Sequence, residues 1–241
     1  MKQLLLISSY YSGNGGYLEH CESVLKSFLG PPDNKKPILF IPYAAGDWDV
    51  SAKKAIAKFS KLGYRMKSIH EYALPKEAFS GRVKFSAIVV GGGNVFRLRY
   101  YLKHFHHDIT EIVKENINDG TLRYVGIHAG SVMACPKIKT VIDMPALLPP
   151  DFNGFDFIDF QLNPRFVSSS QASIGMQESC EECIRDYHWN NDLPVVGLPE
   201  ANWLTLKNED CVMYGPDPAL IFKKGKNPVW WSNRENGTLK R

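Results

Sequence analysis

Short uninterrupted apolar runs alternate with amphipathic stretches of helical length through the first half of the chain. "QLLLIS" leads to "YLEHCESVLKSFL", and "PILFIPYA" leads to "DVSAKKAIAKFSKLGY". "FSAIVVGGG" leads to "VFRLRYYLKHF" and then "DITEIVKENINDG", and "RYVGI" runs into a glycine-flanked turn. Apolar strands without polar alternation are buried on both faces, and helices between them supply the cover. The pattern predicts an α/β fold: a doubly wound, mostly parallel sheet with helices on both faces. Beyond residue 190 it changes. "LPVVGLP" reads as another buried strand. "ANWLTLKN", "CVMYG", "ALIFKKG" and "PVWW" read as short strands, with turns at Asn208-Glu209, Gly215-Pro216 and Gly225-Lys226. With no repeat, linker or low-complexity tract, the simplest architecture is one domain over 1–241 with a C-terminal β-hairpin extension.

Composition changes this picture little. A chain of 241 residues, 44% hydrophobic and 22% charged, can bury a substantial core. The net charge of +4 is spread among acids, with no stripe for nucleic acid and no polybasic patch for a membrane. The opening "MKQLLLISSYYSG" is too short and too soon polar for a membrane span or a signal peptide, so a soluble, cytoplasmic protein is expected. Five dispersed cysteines do not form a disulfide framework. Cys180 and Cys183 have CxxC spacing but no second ligand pair, and read as ordinary cysteines on a helix; no metal is expected. His104, His106 and His107 read as a solvated helix end. Trp203, Trp230 and Trp231 read as core or as an oligomer contact, which leaves room for a homodimer.

Sites in such sheets gather at the carboxyl ends of strands. Gly91-Gly92-Gly93-Asn94 follows "AIVV" and precedes a helix, so its backbone N–H groups can face a carboxylate, a phosphate or an oxyanion. Taken alone it is equally a tight turn that needs glycine. The second strand end is "YVGIHAGS", which has the outline of a nucleophile elbow. The position that such an elbow raises into the site is His128.

Several motifs occur together and in order: "LEH" near residue 18, "FIPYA" at 40, "VVGGGNVFRL" at 89, "YVGIHAGSVMACPKIKT" at 124, "DMP" at 143, "FQLNPRF" at 160 and "GLPEANWL" at 197. In these the chain resembles the dipeptidase E family of serine peptidases, the α-aspartyl dipeptidases, distant relatives of cyanophycinases. The resemblance implies a class I glutamine amidotransferase-like fold, no cofactor, and hydrolysis of short peptides with an N-terminal aspartate. It further implies a nucleophilic serine where this chain has His128, and an acid at Asp143. A histidine base is implied where this chain has Arg165. Oxyanion donors are implied around Gly92, Gly93 and Asn94 and at Ala129, with Glu200 beside the site.

The departures decide the functional expectation. Serine peptidase chemistry needs a hydroxyl that attacks and an imidazole that takes its proton. Arginine keeps its charge at any accessible pH, so Arg165 cannot be that base. The family's arginines after residue 175 align near Cys180 and Cys183. Ser131 lies one helical turn past the elbow and should point elsewhere; Cys135, before Pro136, reads as a packing residue, and nothing ties Ser168, Ser169 and Ser170 to a base. The expectation is a pseudopeptidase that keeps a pocket for a short peptide or small carboxylate, with Asp143 bonded to His128 and favouring its protonation. The alternatives are an eroded site in which Arg165 and Asp143 form a salt bridge, an active serine-type or altered-nucleophile hydrolase of aspartyl dipeptides, and a purely structural role.

Overall fold

The computed structural model describes residues 1–104, 109–168 and 180–234. Five strands lie parallel: β1 (Gln3–Ile7), β2 (Ile38–Ile41), β3 (Met66–Ser68), β4 (Ala87–Val90) and β5 (Arg123–Ile127). Across the sheet they run β3-β2-β4-β5-β1. Successive side chains of a strand face opposite ways, and both faces are covered here. Leu4, Leu6, Leu39, Ile88 and Val90 enter one core, beneath α3 (Val95–His104), α4 (Ile109–Asn118) and α5 (Ala129–Met133). Leu5, Ile7, Phe40 and Val89 enter the other, against α1 (Glu22–Leu29) and α2 (Trp48–Lys61). The doubly wound arrangement read from the unbroken apolar runs is the one observed.

The C-terminal strands are distributed differently from the single appended hairpin that the sequence suggests. β8 (Trp203–Lys207) and β9 (Asp210–Tyr214) form a hairpin, and β8 pairs antiparallel with β1, bringing the main sheet to seven strands. A second, four-stranded sheet has the order β11-β10-β7-β6, built from β6 (Gln161–Pro164), β7 (Val195–Leu198), β10 (Ala219–Phe222) and β11 (Val229–Trp231). Burial explains the division. β7 is apolar throughout and needs cover on both sides. Val195 packs with Ile184 of α6 (Cys180–Asn190), while Val196 and Leu198 join the main core. β8 alternates, with Leu204 and Leu206 buried, so it suits the open edge of β1. In β11, Trp231 is core and Trp230 is exposed, as alternation requires.

No described helix is long and apolar enough to cross a membrane. His104 ends α3; His106 and His107 lie outside the described residues.

One close approach fixes where α5 begins. A Cβ on Gly130 would lie 2.2 Å from the Val90 carbonyl oxygen, and one on Gly126 would lie 2.6 Å from that of Gly130. Neither backbone partner can yield without moving the central strand β4 or the first turn of α5. Gly130→Ala is therefore expected to lower the unfolding free energy by about 1–3 kcal/mol, the usual cost of overpacking. Urea denaturation monitored by tryptophan fluorescence measures it. An unchanged midpoint would show that α5 can shift off β4.

Candidate functional site

β5 passes into α5 through His128, whose backbone has φ 50 and ψ −106. A residue with a Cβ seldom adopts such a conformation, and it persists only where the surroundings impose it. The surroundings are specific. The His128 N–H donates to Ile7 O at 2.9 Å, and the Ser131 N–H donates to His128 O at 2.9 Å. The buried Ser131 hydroxyl lies 2.7 Å from Ile7 O and 2.9 Å from Gly126 O. Ser131 therefore holds the turn and faces away from the attack position. Cys135 is buried, its sulfur accepts the Leu162 N–H at 3.2 Å, and burial pushes its thiol up. Ser168 is buried, and Ser169 and Ser170 lie outside the described residues.

The glycine turn after β4 meets the elbow directly. The Gly91 N–H donates to Ile41 O and the Asn94 N–H to Ala44 O, leaving the Gly92 and Gly93 N–H groups without a backbone partner among the described residues. Ala129 opens α5, so its N–H has no carbonyl one turn earlier to receive it. A Cβ on Gly92 would lie 3.1 Å from the His128 Cβ, and His128 Nδ1 is 3.2 Å from Gly93 O. A carbonyl only accepts, so Nδ1 carries the hydrogen and Nε2 the lone pair. The Tyr10 ring stands edge-on to the imidazole at 6.4 Å and walls the site.

Asp143 has a different partner from the expected one. Its Oδ2 accepts the Val95 N–H at 3.2 Å, at the start of α3, and Asn94 Nδ2 donates to Met144 O at 2.6 Å. The "DMP" segment is thereby fastened to α3, and Asp143 makes no hydrogen bond to His128. Arg165 is exposed, with φ 57, and no ion pair joins it to Asp143. The salt bridge of an eroded site is thus not formed. Glu200 sits exposed between β7 and β8, where its charge acts on His20. Cys180 and Cys183 are half-buried free thiols one turn apart on α6, away from the elbow's contacts.

Burial outweighs the Asp143 charge, which favours the protonated imidazole as expected. Burial holds the His128 imidazole below its ordinary value, and Arg165 lowers it too; Asp143 and the Gly93 contact oppose this. The ring is therefore neutral at pH 7 and adds no positive charge to the pocket.

Two residues were not singled out by the sequence reading. Ser8 ties two motif segments to the end of β1: its N–H donates to Asn202 O at 3.0 Å, its hydroxyl donates to Leu198 O at 2.9 Å and accepts the Arg165 N–H at 2.8 Å. Its signal is a pair of serines directly after a buried strand. His20, from "LEH", lines a cavity of about 390 Å³ with Trp203 and Tyr214, and both its ring nitrogens are buried without a partner among the described residues. Burial lowers the His20 pKa, with Glu200 opposing.

The lowered value of His128 has a direct test. An unfolded histidine titrates near about 6.5 and takes up its proton before the folded one does. Stability is therefore full above that pH and falls as pH drops from there to the depressed folded value. Histidine NMR should place His128 below the ordinary range. Arg165→Ala should raise it and Asp143→Asn should lower it further; shifts of the opposite sign would refute the geometry.

Comparison with known proteins agrees with these motifs. Residues 4–214 match peptidase family S51. The chain is 32% identical to peptidase E of Streptomyces coelicolor over 225 residues, covering 93% of this chain and 89% of that one. It is 33% identical to peptidase E of Salmonella paratyphi A, covering 94% and 96%, and 32% identical to that of a Nostoc species, covering 98% and 95%. The crystal structure of a peptidase from an acI-B1 Actinobacterium superposes with a TM-score of 0.70 at 20% identity, covering 98% of this chain and 96% of the other. This α/β fold is the class I glutamine amidotransferase-like fold of those relatives, and the chain belongs to peptidase family S51.

Proposed function

We propose that this protein is a peptidase E-like pseudopeptidase that has lost serine peptidase chemistry and keeps a pocket for a short peptide or small carboxylate. One observation carries the reading. The elbow is fully formed around His128, which has no hydroxyl, while the position for the base holds Arg165, which cannot accept a proton. The pocket that remains is built for anions. The N–H groups of Gly92, Gly93 and Ala129 and the guanidinium of Arg165 favour a carboxylate at the strand ends. Five free cysteines suit a reducing compartment, and we assign the protein to the cytoplasm.

The neutral His128 favours a second reading, an altered-nucleophile hydrolase. Attack by Nε2 on an aspartyl carbonyl would give an acyl-imidazole and expel an amine, and water would then release the acid. The departing amine needs a proton, and Arg165 does not release one. This difficulty ranks hydrolysis second.

Aspartyl dipeptides and an aspartyl chromogenic amide separate the two. The native chain should be silent, and His128→Ser/Arg165→His should gain activity. A native activity that His128→Ala abolishes would establish the second reading instead. Aspartyl peptides should also raise the Tm of the native chain, since a ligand that binds only the folded state stabilises it. No shift with any of them would count against a retained pocket.

A further inference from the structure

Away from the elbow, a cavity of about 520 Å³ opens where α3 and α4 meet the segment after α5. This is the size of a small-molecule site. Its wall includes Arg99, which is only 3% exposed. Arg99 Nε and Nη2 donate to the two carboxylate oxygens of Asp151 at 2.8 Å each, but the buried Nη1 has no partner among the described residues. Thr110, 7% exposed, lines the same cavity, and its buried hydroxyl also has none. Buried donors left unpaired are costly and rare in folded proteins, so two beside one cavity point to a group that completes them.

The charges around the cavity say what kind of group. Lys103, Lys114 and Lys137 join Arg99, giving four cations against the three acids Glu111, Asp151 and Asp156. Asp151 is committed to Arg99 and also accepts the Asn153 N–H at 2.9 Å. Glu111 is 3.6 Å from Lys114, its partner on the same helix. Lys137 is held to a neutral group, Asn153 Oδ1, at 2.5 Å. The acids are thus largely occupied while lysines converge from three separate segments.

We propose that this cavity is a second ligand site, which binds a compact anion of two or more charges. Phosphoryl and polycarboxylate groups share the required chemistry: several acceptor oxygens that take hydrogen bonds from a guanidinium, a hydroxyl and ammonium groups at once. The assignment stands apart from the elbow, because none of these residues contacts His128 or Arg165. Its link to the elbow is the 143–151 segment, fastened to α3 by Asp143 at one end and Asp151 at the other.

Thermal unfolding of the full chain tests the assignment, with inorganic pyrophosphate and citrate as probes and potassium chloride at matched ionic strength as the control. At least one probe should raise Tm saturably, and the probe that does so identifies the phosphoryl or the polycarboxylate form. Lys103→Glu/Lys114→Glu should weaken that binding by roughly tenfold or more, as expected when charge-assisted contacts are reversed. Thr110→Val should leave the Tm of the free protein unchanged or raised, since it removes an unpaired hydroxyl, yet weaken the probe's effect. If the double variant does not fold, Thr110→Val decides the matter alone. A rise equal to that with potassium chloride, no rise with either probe, or an undiminished rise in both variants would overturn the proposal.

Discussion

The Ser131 hydroxyl, buried between the ends of β1 and β5, is the small polar contact on which the site's geometry depends. It reaches Ile7 O and Gly126 O from the first turn of α5, while the His128 N–H takes up Ile7 O from the strand end. These bonds draw α5 back against β4 until Gly130 touches the Val90 carbonyl. The residue between strand and helix is then forced to φ 50 whatever its side chain. Such strain persists only because its surroundings over-determine it. The shape of the elbow thus does not depend on the side chain that it presents.

Around that fixed point the other site residues are positioned by main chain more than by one another. Asp143 and Asn94 fasten the "DMP" segment to the start of α3, and Ser8 fastens the segments of Arg165 and Glu200 to the end of β1. The catalytic-position side chains therefore come together without forming the proton relay that a serine peptidase needs. His128 bonds to the Gly93 carbonyl, which can only accept, and its burial keeps it neutral. A scaffold organised through its backbone can lose reactive side chains and still retain its shape. Family membership and fold therefore do not by themselves fix the chemistry.

The outline of the sheet was legible because strands covered on both faces must be apolar at every position, as β2 and β4 are. The elbow was legible because only glycines fit at Gly126 and Gly130. That Ser131 points away from the attack position followed from helical spacing. The pairing of the C-terminal strands was not legible: β7, apolar throughout, and the alternating β8 both read as short strands, and only the available cover sends one to the second sheet and the other to the edge of β1. Asp143 illustrates the same limit at the site. A carboxylate after an elbow suggests a histidine partner, but the N-terminus of α3 lies within reach and takes it.

What the sequence alone determined is local or periodic: the doubly wound class and the elbow with His128 at its apex, because residue type and spacing fix these wherever the chain folds. What the tertiary structure decided are the properties set by neighbours distant in the chain. The neutral state of His128 depends on its burial, and the partner of Asp143 on the position of α3. The cationic cavity depends on bringing Arg99, Thr110, Lys137 and Asp151 from separate segments to one wall. Desolvation and charge balance are properties of a site in space, and no stretch of sequence carries them.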